Sequence, residues 1–94
     1  MTSEILFSYI IPTIGRVSLQ TAVKSVLDQE FSQAGVEVIV VNDSGSPLPH
    51  RSWLDLSRVR IINTNKSERS FARNSGAAVA QGKYLAFLDD DDSF

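Results

Sequence analysis

The stretch from residue 70 to residue 92, SFARNSGAAVAQGKYLAFLDDDD, decides how the rest of the chain is read. Its first twelve residues are mostly small and apolar, which predicts a helix over 70–81 that can lie close against a flat partner. Gly82 stands where a helix-terminating glycine belongs. Residues 84–88, YLAFL, then form a short apolar run of strand character, and four aspartates follow it directly. A helix, a strand and a block of carboxylates at the strand's carboxyl end form the second half of a parallel crossover unit that carries charge where such units bind ligands.

Working back toward the N-terminus, residues 5–11, ILFSYII, read as a first strand buried on both faces and stopped by Pro12. After the loop 12–16, the apolar positions Leu19, Ala22, Val23, Val26, Leu27 and Phe31 keep helical spacing, with Ser18 as N-cap and Gly35 as the stop. Residues 37–42, EVIVVN, predict a second buried strand closed by the turn formers Asp43-Ser44-Gly45-Ser46-Pro47. Trp53, Leu54 and Leu56 suggest a short packed turn, residues 59–63 a third strand, and residues 64–67 a polar exit.

Continuous apolar strands alternating with helices predict an α/β fold with a parallel sheet. Right-handed crossovers then favour the order 3-2-1-4, a Rossmann-like half. Strands one and four become neighbours whose connections leave to opposite sides, and a crevice opens at their carboxyl ends. Pro12-Thr13, Asn42-Asp43 and the aspartates from Asp89 onward all arrive there. Strand four would lie at or near an edge, so further strands beyond Phe94 are expected to complete a truncated domain.

Composition bounds the chemistry. Of the 94 residues, 43% are hydrophobic and 21% charged, the balance of a folded domain. No apolar run approaches the roughly twenty residues of a membrane helix, and no basic-then-apolar leader opens the chain, so a cytoplasmic protein, free or at the inner face of a membrane, is the expectation. With no cysteine and one histidine, His50, any metal must be held by oxygen. Four of the 11 acidic residues are the run Asp89 to Asp92, and the remaining charges show no basic surface suited to nucleic acid.

In an extended segment alternate side chains share a side, pairing Asp89 with Asp91 and Asp90 with Asp92. Two such charges about 6 Å apart repel by under ~1 kcal/mol in water but nearly ~3 kcal/mol at an effective dielectric near 20. Partial burial therefore calls for a cation, and carboxylate oxygens suit Mg²⁺ or Mn²⁺ bridging to substrate phosphates. A solvated acidic run is the bland alternative. Its place at a strand end favours the functional one. Asp43 could accept a hydrogen bond from a base or ribose, or simply start the turn at Ser44-Gly45. Thr13 offers a hydroxyl and backbone amides to the crevice, and Arg16 and Arg73 could reach a diphosphate. For Arg73 the bland alternative is a solvent-exposed arginine, the usual fate of that residue type.

Together, SYIIPTIGR, EVIVVNDSGS and SFARNSGAAVAQGKYLAFLDDDD resemble, in order and spacing, the N-terminal part of the family 2 glycosyltransferases of the GT-A fold. The resemblance covers essentially residues 1–94 and implies a nucleotide-sugar-binding part whose acceptor half is missing. It implies that Pro12 and Thr13 lie in the loop beneath the nucleotide, that Asp43 contacts the base, and that Arg73-Asn74-Ser75-Gly76 is the family's helix motif. Asp89-Asp90-Asp91 would match Asp-x-Asp, with Asp89 and Asp90 toward the nucleotide and Asp91, with Asp89, on the metal. The implied reaction is transfer of a sugar from a nucleotide diphosphate, uridine diphosphate favoured, to an acceptor hydroxyl with inversion. The general base is expected beyond Phe94.

Two other classes bear on the same residues. Asp89-Asp90-Asp91-Asp92-Ser93 also fits the Asp-x-Asp-x-Ser/Thr nucleophile motif of haloacid-dehalogenase-like phosphatases, but there it closes the first strand of the domain. A non-catalytic nucleotide-binding module would share every donor-side feature. An EF-hand loop is excluded because Phe94 occupies the position of its turn glycine. A dinucleotide fingerprint and a P-loop lack their glycine patterns.

Overall fold

The computed structural model describes residues 7–15, 18–28, 35–48, 58–64 and 69–90. Within them run β1 (Phe7–Thr13), α1 (Leu19–Leu27), β2 (Val36–Asn42), β3 (Val59–Asn63), α2 (Arg69–Val79) and β4 (Tyr84–Phe87). The strands form one sheet in the order β3-β2-β1-β4, every pairing parallel. Ile5, Leu6, Phe31, His50, Trp53, Leu54 and Leu56 lie outside the described residues.

Alternation along each strand sorts the core into two layers. On one face Tyr9, Ile11, Val36, Val38, Val40 and Val59 pack with Leu19, Ala22, Val23 and Val26 of α1, whose spacing i, i+3, i+4, i+7 forms one stripe. On the other, Ile10, Ile39 and Val41 pack with Ala72 of α2. Because β2 lies between two strands and under both layers, all seven of its residues are buried. At the other extreme, Tyr84, Leu85 and Phe87 of the edge strand β4 are about half exposed.

Several element ends differ from the sequence expectation. β1 does not stop at Pro12 but continues through it to Thr13, with Pro12 opposite Val41. In a parallel strand, residues two apart direct their backbone groups to the same neighbour. The Ile10 carbonyl accepts from the Leu88 N–H at 3.1 Å, on the β4 side. The N–H that Pro12 lacks would have extended that same ladder, so pairing with β2 is unaffected while pairing with β4 ends.

Ser18 precedes α1 but does not cap it through its side chain. Its backbone is helical, φ −63 and ψ −15, rather than in the extended region a capping hydroxyl requires. α1 closes at Asp28, whose N–H reaches the Lys24 carbonyl at 2.9 Å. Gly35 does not end that helix. It sits at φ 89 immediately before β2 and accepts the Phe7 N–H at 3.0 Å. α2 likewise ends at Val79, short of Gln81. Gly82 is required for close approach rather than capping: a Cβ there would lie 2.4 Å from Ser8 Oγ and 2.7 Å from Ser8 N.

That approach belongs to a buried polar clamp at the end of the sheet away from the crevice. Glu37, only 4% exposed, accepts from Ser8 Oγ at 2.6 Å and from the Gln81 N–H at 2.7 Å. Its other oxygen pairs with Arg60 Nη2 at 3.0 Å, and the same nitrogen donates to the Val79 carbonyl. The Gly82 N–H completes the clamp on Ser8 Oγ at 2.8 Å. Side chains of β1, β2 and β3 thereby hold the α2-to-β4 connection and set where β4 begins.

Gly76 fixes how close α2 lies to the sheet, since a Cβ there would meet Ile10 Cγ2 at 2.5 Å and Val41 Cγ2 at 3.0 Å. Alanine is the better helix former by about 1 kcal/mol, but overpacking a core costs about 1–3 kcal/mol. Gly76→Ala is therefore expected to destabilise by about 1 kcal/mol, and Gly76→Val by more, in denaturant unfolding. An alanine variant more stable than the parent would show that α2 can lift without cost.

Candidate functional site

Where pairing with β4 stops after Leu88, the chain leaves the sheet and the crevice begins. The alternation of β4 continues into the aspartates. Asp89 emerges on the α2 face, like Phe87, and its Oδ1 lies 3.3 Å from Arg73 Nη2. Asp90 emerges on the α1 face, is 4% exposed, and accepts from Thr13 Oγ1 at 2.7 Å. Thr13 Oγ1 in turn accepts the Gly15 N–H at 3.0 Å, which ties down the start of the β1–α1 loop.

The strand ends are linked across the whole sheet. Thr64 Oγ1 donates to Asp43 Oδ1 at 2.5 Å, the Asp43 N–H donates to the Thr13 carbonyl at 2.8 Å, and Thr13 Oγ1 donates to Asp90. Residues leaving β3, β2, β1 and β4 are thus joined by three successive hydrogen bonds along one edge. The placement follows from topology: with the order β3-β2-β1-β4 and all strands parallel, every carboxyl end falls on this edge.

The loop after β2 is organised by Asn42, not by Asp43. Asn42 Oδ1 accepts from the N–H and hydroxyl of Ser44 at 3.2 and 2.7 Å, an Asx turn. Its amide donates to the Ser46 carbonyl at 2.7 Å and to Asn63 Oδ1 at 2.9 Å. The turn-starting role weighed for Asp43 therefore belongs to its neighbour. An open cleft of about 420 Å³ lies beside this loop, lined by Asn42, Gly45, Ser46, Pro47, Asn63 and Thr64.

Of the sequence-predicted site residues, Pro12 is half-buried in β1, and Thr13, Asp43, Arg73, Asp89 and Asp90 all stand at this edge. Thr13 and Asp90, both expected to face a nucleotide, direct side chains to each other and brace the crevice. Arg16, Asp91 and Asp92 lie outside the described residues. Among the described residues, no group of three or more metal-binding side chains is gathered in one place. Arg73 is held by α2 with its guanidinium carbon 5.9 Å from the Phe87 ring centroid, within cation–π range. Its Nε is buried and has no hydrogen-bond partner among the described residues. The sequence places Asn42 at the crevice and Thr64 at a strand exit but gives neither a role in the site. A hydroxyl just past a strand end and an Asn ahead of Asp-Ser-Gly are the signals that could have found them.

The sheet order, the crevice at its switch point and the acidic exit of β4 define a Rossmann-like α/β half of the GT-A type. The profile described as "Glycosyl transferase family 2" matches residues 8–94, and the chain belongs to that family. It is 35% identical over 92 residues to the GalNAc(5)-diNAcBac-PP-undecaprenol beta-1,3-glucosyltransferase of Campylobacter jejuni, a match covering 90% of this chain and 29% of that protein. It is 32% identical over 105 residues to the putative colanic acid biosynthesis glycosyl transferase WcaA of Escherichia coli, covering 100% and 35%. Among solved structures, S. aureus TarS residues 1–349 superposes with a TM-score of 0.74 at 23% identity, covering 95% of this chain and 28% of that one. The same protein in complex with UDP-GlcNAc gives 0.76. The chain thus spans about three-tenths of the length of these relatives. The phosphatase reading of the aspartate run ends here, since that run follows the fourth strand and the family is a different one.

Proposed function

We propose that the chain forms the donor side of a glycosyltransferase site that binds a nucleotide-diphosphate sugar, for transfer to an acceptor hydroxyl with inversion. The observation that carries this is the convergence of Asp43, Arg73 and Asp89 on one sheet edge, on residues far apart in sequence. Family membership and the UDP-GlcNAc complex of the similarly folded TarS support a nucleotide sugar as ligand. The name of the C. jejuni relative supports a saccharide acceptor.

Each residue has a task in this reading. Asp43 accepts the N–H of the base, for which uracil is favoured, beside the cleft at Asn63 and Thr64. Arg73 meets diphosphate charge with a guanidinium fork steadied by Phe87. Thr13 and Asp90 hold the floor, with Pro12 keeping β1 and β4 apart above it. The donor set also fits a hard cation: Asp89, with a side chain 37% exposed, and Asp91 two residues on supply oxygens only. Mg²⁺ or Mn²⁺ held there would stabilise charge on the leaving diphosphate. The acceptor and the general base are assigned to parts of the protein other than these residues.

Calorimetric titration of the natural full-length protein with uridine diphosphate, in Mn²⁺ and then in chelator, tests the reading. Affinity is expected to fall about tenfold on chelation, Arg73 still opposing part of the diphosphate charge. Asp91→Asn should reproduce that loss in the presence of metal. Equal affinity in all three conditions would remove the aspartates from the metal bridge.

A further inference from the structure

Thr64 follows β3 directly and stands beside the Asp43 carboxylate. Its backbone N–H donates to the Asn42 carbonyl at 2.9 Å, continuing the β2–β3 ladder one residue past the strands. On the neighbouring side chains, the Asn42 amide grips Asn63 Oδ1 at 2.9 Å. The Thr64 hydroxyl is therefore carried on a fixed backbone. It donates to Asp43 Oδ1 at 2.5 Å, within the short range of hydrogen bonds to an ionised acceptor. Asp43 is itself held through its N–H by Thr13 and is 8% exposed.

The terminal torsion of an aspartate is broad and roughly two-fold, so backbone placement alone does not decide where the carboxylate points. A hydrogen bond to one oxygen from a fixed donor restricts that torsion, because the two oxygens are rigidly related. We propose that Thr64 is a positioning residue that locks the plane of the Asp43 carboxylate and thereby makes the site select bases presenting a ring N–H over cytosine. This rests on the reading of Asp43 as the base acceptor. Uracil and guanine present ring N–H donors. Cytosine presents a bare ring nitrogen there and a donor only on its exocyclic amine. A carboxylate free to turn can follow that amine, whereas a locked one faces the ring nitrogen with acceptor against acceptor. Selectivity then comes from preventing the carboxylate from adapting to the wrong base.

The experiment is calorimetric titration of the full-length protein with uridine, guanosine and cytidine diphosphates in Mn²⁺, for the parent, Thr64→Val, Thr64→Ser and Asp43→Ala. Valine keeps the branched shape and loses the donor, and serine keeps the donor. The ratio of affinities, the better of uridine or guanosine over cytidine, is expected to fall about five- to tenfold in Thr64→Val, in line with the net worth of one hydrogen bond. It should be restored in Thr64→Ser and lost in Asp43→Ala. A purely structural Thr64 would lower thermal stability or all three affinities together and leave the ratio intact, which overturns the proposal. A ratio that falls in Asp43→Ala but not in Thr64→Val rejects Thr64 while leaving Asp43 as base acceptor. A parent without preference, or an unchanged ratio in Asp43→Ala, rejects that reading of Asp43 and the proposal with it.

Discussion

Glu37→Ala is expected to lower the stability of the protein by about 3 kcal/mol, the low end of the range for removing one member of a buried ion pair. The carboxylate lies in the α2 layer of the sheet and is the common acceptor for Ser8 Oγ, the Gln81 N–H and Arg60. Alanine would leave all three without it, next to a guanidinium still partly withdrawn from water. The Arg60 side chain is 38% exposed, and solvent screening of that half of the pair keeps the estimate at the low end. Glu37→Gln, which keeps an acceptor oxygen for Ser8 or Gln81 but loses the charge opposite Arg60, should cost roughly 1 kcal/mol. Urea unfolding of the two variants beside the parent measures both. If the alanine variant unfolds at the parent's midpoint, the clamp contributes nothing and β4 is placed by its ladder to β1 alone.

The second large effect is expected on binding. Arg73→Ala should weaken uridine diphosphate affinity by about 30- to 100-fold, the equivalent of about 2–3 kcal/mol for a charge-assisted contact. Two features of the structure set this scale. The guanidinium is oriented before any ligand arrives, by the Phe87 ring and by Asp89 at 3.3 Å, so little side-chain order has to be gained on binding. Its Nε is a buried donor with no partner among the described residues, and a phosphate oxygen could supply one. Arg73→Lys should recover only part of the loss, because an ammonium lacks the planar fork and the stacking face. Isothermal titration of the full-length variants separates these outcomes. Parent-like affinity in Arg73→Ala would mean that the arginine serves only as a counter-ion to Asp89.

Much of this arrangement was legible in the sequence for simple reasons. The continuous apolar runs around Ile10 and Val40 required strands buried on two faces, and helical spacing from Leu19 to Val26 required a layer above them. With right-handed crossovers, these leave few alternatives to the sheet order found. The position of the aspartate run straight after a strand located the crevice edge. Where the reading missed, it missed at element ends. Ser18, Gly35 and Gly82 were read by residue type as cap and stop signals. Their roles are set by neighbours distant in sequence: Phe7 for Gly35 and Ser8 for Gly82.

The sequence by itself determined the parallel α/β class, because the period of its apolar residues is a local property of the chain; crossover handedness then favoured the strand order, and the order and spacing of its motifs carried the resemblance to the family. Only the tertiary structure decided which polar groups meet. That Asp90 turns inward to Thr13 while Asp89 turns to Arg73 depends on where pairing ends against Pro12. That Asn42 makes the turn and leaves Asp43 to Thr64 depends on β2 and β3 lying side by side in register. Hydrogen bonds are short-ranged and directional, so their partners are chosen by the packed geometry of the sheet edge rather than by spacing along the chain.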